Sequence, residues 1–238
     1  NAFYKTGYFN NPANWTDEAI YINNCLIHVN NTTKYTILPN TRLIADCAFN
    51  GCYALKSVTF PKKSLTHIGS EAFLGCPFIK SVKLPQSVQY IGDNAFSGCD
   101  GLKSIEIPNS VTTIGTMAFC SNINVAKDNP NYSSEDGVLF DKSKTTLIQY
   151  PLGKRGKYTI PNGVTKIAPT AFIDCFDLTS LTIPSSVTEI ETSGNPSFGN
   201  INAFEDCSKL YEIYNFSTKK EVRYIPIYAT FCLKDNRI

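Results

Sequence analysis

Nine cysteines, two histidines, a cluster of acids and amides near residue 130 and a set of regularly spaced lysines are the side chains of this 238-residue chain with chemistry to offer. A cysteine nucleophile needs exposure, a lowered thiol pKa and usually a neighbouring base. The histidines are His28 and His67, and His67, between Leu65 and Ile68, is expected to face solvent. Zinc calls for close pairs such as Cys-x-x-Cys; none occurs, and the closest pair, Cys47 and Cys52, lacks companion ligands. Asp128, Asn129, Asn131, Glu135 and Asp136 carry the oxygens that Ca²⁺ takes, but without the order or central glycine of an EF-hand. Asx turns are the preferred reading there. The sequence thus predicts no catalytic residue, no cofactor and no metal site.

What positions these residues is a repeat. Ala-Phe recurs at Ala48-Phe49, Ala72-Phe73, Ala95-Phe96, Ala118-Phe119, Ala171-Phe172 and Ala203-Phe204, with a central spacing of 23 residues. Three positions after each Phe stands Cys52, Cys76, Cys99, Asn122, Cys175 or Cys207, and three further on an aliphatic residue, Leu55, Ile79, Leu102, Val125, Leu178 or Leu210. Ile105 and Ile107 alternate with Glu106 as in a short half-buried strand. Pro108 marks a corner, since proline has no N–H to give a ladder, and Val111 and Ile114 face inward beyond it. A short helical turn is expected at Ala-Phe, with the Phe filling the coil. One coil cannot bury these side chains, whereas stacked coils can. The column Cys52, Cys76, Cys99, Asn122, Cys175 and Cys207 reads as an inward structural position for a small side chain that bonds neighbouring backbone, as buried thiols in preference to bridges between adjacent coils.

Two interruptions break the period. From Phe119 to Phe172 is 53 residues, one period with 30 added. Val138-Leu139-Phe140 and Thr146-Leu147-Ile148 around Asp141-Lys142-Ser143-Lys144 predict a hairpin there. The N-terminus repeats the layout: Asn11-Pro12, Trp15, Ala19-Ile20-Tyr21, Leu26-Ile27 and Lys34-Tyr35-Thr36-Ile37 match Asn129-Pro130, Tyr132, Val138-Leu139-Phe140, Leu147-Ile148 and Lys157-Tyr158-Thr159-Ile160. Residues 191–200, rich in Ser, Gly and Asn, read as a surface loop. The expected organisation is one domain over 1–238: an N-terminal hairpin coil or cap at 1–36, regular repeats at 37–125, a hairpin insertion at 126–157, further repeats at 158–214 and a C-terminal cap at 215–238. The fold class expected is α/β, as a β-rich right-handed solenoid of about 23-residue coils with inserted hairpins.

The run Leu102-Lys103-Ser104-Ile105-Glu106-Ile107-Pro108-Asn109-Ser110-Val111-Thr112-Thr113-Ile114-Gly115, followed by Ala118-Phe119, resembles the BspA-like class of leucine-rich repeats. The hairpin Asp136-Gly137-Val138-Leu139-Phe140-Asp141 looks like the insertion of that family, and the likeness covers nearly the whole chain. The resemblance implies a bacterial surface or secreted protein associated with adhesion to host proteins or other cells. It brings no catalytic residues and no defined ligand-binding motif.

Stacking turns a repeat position into a stripe, because neighbouring strands lie about 4.8 Å apart. One stripe is Lys56, Lys80 and Lys103, continued by Thr179 and Tyr211; beside it run Thr59, Lys83, Glu106, Thr182 and Tyr214. Lysines so close repel one another, and an anionic ligand relieves this. Lys56, Lys80, Lys83, Lys103 and Tyr211 are therefore the candidate ligand contacts, against the plain alternative of a solvated polar face. Tyr132, Tyr150, Lys154 and Arg155 of the hairpin form a second candidate. The partner expected is an extracellular protein or glycan, bound by a monomer outside the cell. A start at Asn1 without methionine is consistent with a longer exported precursor, and an inert spacer displaying another domain is the alternative function. A net charge of +2 is too mild for a nucleic-acid binder. No apolar run is long enough to cross a bilayer as a helix.

Overall fold

The computed structural model describes residues 6–195, 199–216 and 230–232, with the backbone alone for 192–195, 199–202 and 230–232. The chain forms two compact units, Asn1–Asn131 and Tyr132–Ile238. Among the described residues the only α-helix is Gly7–Asn10, so the protein is a β-rich repeat protein and the α/β expectation overstates its helix.

The first unit opens on an antiparallel meander, β1 (Trp15–Thr16), β2 (Ala19–Ile22) and β3 (Cys25–Val29). Each coil that follows can supply two short strands on either side of its proline corner. The first coil gives β4 (Lys34–Thr36) and β5 (Leu43–Ile44), the second β6 (Ser57–Thr59) and β7 (His67–Ile68). The third gives only β8 (Tyr90–Ile91), and the fourth β9 (Ser104–Ile107) and β10 (Thr113–Ile114), before β11 (Asn122–Val125) closes the unit. β3, β5, β7, β8 and β10 form a continuous parallel ladder. Its register sets Ile44, Ile68, Ile91 and Ile114 in one column and Leu43, His67, Tyr90 and Thr113 in the next. On the other side of the corner, β4 pairs β6 and β9 pairs β11, while Lys80–Leu84 of the third coil forms no strand.

Between the two strand positions the Ala-Phe pair locks coil to coil. The amide of Phe49 donates to the carbonyl of Ala72, that of Phe73 to Ala95 and that of Phe96 to Ala118, each at 2.8 Å. The rings stack behind these bonds, with centroids 4.5 Å apart for Phe49–Phe73, 5.0 Å for Phe73–Phe96 and 6.1 Å for Phe96–Phe119. All four rings are buried. The segment is a succession of turns, such as Cys52 N–H to Phe49 carbonyl and Leu55 N–H to Cys52 carbonyl, and not the expected helical turn. The residues before each Ala, Cys47, Glu71, Asn94 and Met117, lie in the left-handed region at φ 53–59°, a conformation that breaks a right-handed helix. Side chains add further rungs: Ser87 and Ser110 donate to the carbonyls of Leu65 and Val88 at 2.7 and 2.6 Å, one coil back. The glycine that ends each repeat is a matter of space. A Cβ on Gly92 would lie 2.5 Å from the backbone nitrogen of Ser70, and Gly69 and Gly115 meet their neighbouring coils in the same way.

The second unit repeats the plan. β12 (Tyr132–Glu135), β13 (Val138–Asp141) and β14 (Thr146–Gln149) form an antiparallel meander. The coils after it carry β15 (Gly156–Thr159) with β16 (Lys166–Ile167), then β17 (Leu178–Ile183) with β18 (Glu189–Ile190). β14, β16 and β18 stack in parallel, as do β15 and β17. The predicted hairpin is thus a three-stranded sheet, and its Val138, Leu139, Phe140 and Leu147 are fully buried. Residues 191–200, expected as a loop, supply β19 (Thr192–Asn195), which pairs antiparallel with β20 (Gly199–Asn202). β21 (Glu212–Asn215) stacks on β17, and β22 (Thr230–Cys232) on β21; the rest of the cap expected at 215–238 lies, from residue 217 on, outside the described residues. Tyr150 stands where the coils place Phe: its amide donates to the Ala171 carbonyl and its ring stacks on Phe172, which stacks on Phe204.

Phe73 is held between two stacked rings, so Phe73→Ala leaves a cavity in a column that cannot collapse around it. A loss of about 3–5 kcal/mol is expected, measured by urea denaturation; a loss below about 1 kcal/mol would show that the ring column is dispensable.

Candidate binding surface

The thiol column is structural chemistry. Cys52 donates to the Val29 carbonyl at 3.3 Å, Cys76 to that of Phe49 at 3.5 Å and Cys99 to that of Phe73 at 3.3 Å. In the second unit Cys175 reaches the Tyr150 carbonyl and Cys207 that of Phe172, at 3.9 and 3.0 Å. All five are buried and unbridged. Burial pushes the thiol of Cys52 up to about 11 and that of Cys76 to about 12, the opposite of what a nucleophile needs. Asn122 does not occupy this column. It is exposed on β11, opposite Ser104, and the inward position belongs to Cys120, whose thiol donates to the Phe96 carbonyl at 3.3 Å. Nine residues separate Phe96 from Ile105, but only four separate Phe119 from its register partner Ile123. The last coil of the unit is therefore cut short, and the Cys follows its Phe directly.

Among the described residues neither histidine joins a cysteine. His28 packs on the rings of Phe9 and Trp15, and burial holds its pKa below the ordinary imidazole value. His67 is exposed, bonds the Thr66 hydroxyl at 2.8 Å and stacks on Tyr90. In the acid and amide cluster Asn129 is buried. Its Nδ2 donates to the carbonyls of Pro108 and Val111, and its Oδ1 accepts from the Asn131 amide, an Asx turn. No group of acids, histidines and cysteines suited to a metal occurs among the described residues.

The stripe lysines of the first unit differ in pairing from several cations of the second. Lys56, Lys80, Lys83 and Lys103 are exposed, and neither they nor Lys62 and Lys63 have a carboxylate within 4.0 Å among the described residues. In the second unit Lys144 pairs with Glu135, Lys166 with Glu191, and Arg155 and Lys209 share Asp177. The hydrogen bond from Lys209 holds the Asp177 carboxyl below its usual range. The strand ladder expected to carry the lysine stripe is interrupted, because Lys80–Leu84 pairs with neither β6 nor β9. Two open cavities lie on either side of Lys83–Gln86 instead. The larger, about 460 Å³, has Val58, Phe60, Lys62, Lys83, Leu84 and Pro85 in its walls. The smaller, about 230 Å³, adds Glu106, Ile107 and Asn124 to the shared Lys83, Leu84 and Gln86. The 24-residue step from Phe49 to Phe73 is one longer than the central period, and the extra residue falls between Phe60 and Gly69, at the Lys62-Lys63 corner beside the larger cavity. Tyr53 and Phe78, 63% and 57% exposed, precede Lys56 and Lys80 by three and two residues. Tyr211, also exposed, belongs to the second unit, where its amide bonds the Thr179 carbonyl.

The second candidate group is mostly in use. Tyr150 is buried, Arg155 is paired with Asp177, and Lys154 lies over the rings of Tyr150 and Tyr158 while donating to the Asp136 carbonyl. Tyr132 is half-buried on β12.

With six repeat copies matched over residues 1–131 and 156–234, the chain belongs to the BspA type leucine-rich-repeat family. The stretch left out, 132–155, holds the second meander. A search of the curated proteins returns no match. Among solved structures, a leucine-rich repeat protein from Eubacterium ventriosum is 27% identical with a TM-score of 0.61, over 79% of this chain and 55% of that one. A leucine-rich cell surface protein from Faecalibacterium prausnitzii is 27% identical over 88% and 78%, TM-score 0.49. The pneumococcal vaccine antigen PcpA is 20% identical over 85% and 74%, TM-score 0.55, and shares the fold. The chain thus spans about half the length of the Eubacterium protein. No helix among the described residues is long and apolar enough to cross a membrane.

The raised thiol pKa values give the fold an alkaline limit. Against an ordinary value of 9.0, folded Cys52 and Cys120 keep their protons to about 11 and Cys76 to about 12. Between those values the unfolded chain binds fewer protons, so stability falls as pH rises above 9. In reducing buffer the urea midpoint is expected to drop from about pH 9 to 11 and to drop less in Cys52→Ala/Cys76→Ala; identical pH profiles for the two proteins would contradict this.

Proposed function

We propose that this chain is a non-catalytic binding module at the outside of a bacterial cell, which captures an anionic macromolecule on the lysine-bearing face of its first unit. The observation that carries this reading is the contrast in charge pairing: Lys56, Lys80, Lys83 and Lys103 have no carboxylate partner among the described residues, whereas Lys144, Arg155, Lys166 and Lys209 of the second unit are paired. Unpaired like charges on successive coils raise the local potential and favour an acidic partner. The exposed rings of Tyr53 and Phe78 add the aromatic area that binding surfaces favour. Family membership supports a place at the bacterial surface, where proteins with these repeats are generally found. In this reading the coils within each unit wind as a right-handed solenoid, and the module acts as a monomer.

The test is a binding series of the purified chain against immobilised heparin, an acidic mucin preparation and an acidic matrix protein, run across salt concentrations. Saturable binding that weakens with salt, and by about tenfold or more in Lys56→Glu/Lys80→Glu/Lys103→Glu, is expected. A hit indifferent to salt and to charge reversal would overturn the lysine face as the site. No binding to any probe would favour an inert spacer that displays another domain.

A further inference from the structure

The third coil breaks the strand row at Lys80–Leu84. Among the described residues no backbone N–H or carbonyl of this segment is hydrogen-bonded, although the coils on both sides supply strands β6 and β9 at the same position. Backbone groups left unpaired beside strand positions can template another strand. In this segment Lys80, Ser81 and Lys83 are exposed, Val82 is half-exposed and Leu84 is buried. Next to it lies the 460 Å³ groove with an apolar floor of Val58, Phe60, Leu84 and Pro85 and with Lys62 and Lys83 in its wall. None of the groove's residues is acidic.

We propose that Lys80–Leu84 and this groove receive an extended acidic peptide segment of a partner protein, which pairs its backbone with the open segment, sets an apolar side chain on the groove floor and brings carboxylates to Lys62 and Lys83. Each part of the occupant answers a feature of the site. Free backbone groups call for a chain that offers its own N–H and carbonyl groups in register, as in strand addition. The floor calls for an aliphatic side chain, and the uncompensated ammonium groups call for carboxylates. A sugar meets these demands less well, since the floor offers few polar partners for hydroxyl groups and the Phe60 ring is buried. The inference rests on reading the lysine face as a binding surface and names the partner class.

Binding of the synthetic peptide acetyl-Ser-Glu-Val-Glu-Ile-Glu-Ser-amide to the full chain tests it, with backbone amide shifts as the site-resolved readout and heparin as a parallel probe. Saturable binding is expected, with the amides of Ser81, Val82 and Lys83 shifting. Affinity should fall about tenfold or more in Lys62→Glu/Lys83→Glu, and similarly for the peptide N-methylated at alternate residues. Equal binding of the methylated peptide would overturn the backbone pairing. Heparin binding without peptide binding would overturn this inference and leave the lysine face standing as a surface for glycans, whereas silence from both probes would remove both.

Discussion

The peptide group of the repeat phenylalanine is the point on which each coil depends. Its N–H donates forward to the alanine carbonyl of the next coil, and its carbonyl accepts the thiol of the next coil's cysteine. For Phe73 these partners are Ala95 and Cys99, and for Phe49 they are Ala72 and Cys76. Both polar groups of a buried peptide unit are thereby satisfied, which a buried backbone requires, and the ring of the same residue stacks on its neighbour. A larger side chain in the cysteine position would displace the coil above, and a residue without a donor would remove the bond from the next coil to the Phe carbonyl. Composition follows from this: small residues where coils touch, as at Gly69, Gly92 and Gly115, and branched or aromatic residues where the coil must be filled.

The meanders show how a stack of coils begins. β1–β3 and β12–β14 each present one strand, β3 or β14, to the first parallel strand that follows. Val29 and Tyr150, which end these sheets, already make the bond to alanine that Phe makes later, to Ala48 and Ala171. In the second unit the meander belongs to the core, since Phe140 and Leu147 pack with Phe172 and Leu181 in one apolar cluster. An insertion read from the period alone is in this sense a starting layer, and its polar tip is tied by Asp141, which accepts from the Thr146 amide and from the hydroxyls of Ser143 and Thr145.

The fold was largely legible because its grammar is local. Ala-Phe, the cysteine column, the proline corner and the doubled meander layout all stand in the sequence at fixed offsets. Two things were not legible. A period counts residues but not where a coil shortens, so the repeat offset points to Asn122 although Cys120, next to Phe119, holds the bond. Strand pairing also depends on how adjacent coils meet: Ser81-Val82-Lys83-Leu84 reads like Ser104-Ile105-Glu106-Ile107, yet only the latter forms a ladder strand. The groove beside Lys83 follows from that difference. The one sequence sign near it is the extra residue of the Lys62-Lys63 corner, and Phe60 and Lys62 had no place in the stripe derived from repetition.

The coils of the first unit are held together at the phenylalanine column and left unpaired at one segment of the third coil. Residue-resolved hydrogen exchange of the native chain tests both halves at once. Amides of Phe49, Phe73 and Phe96 are expected among the slowest to exchange in the first unit, and those of Ser81, Val82 and Lys83 among the fastest. Equal protection of the two sets would contradict the account.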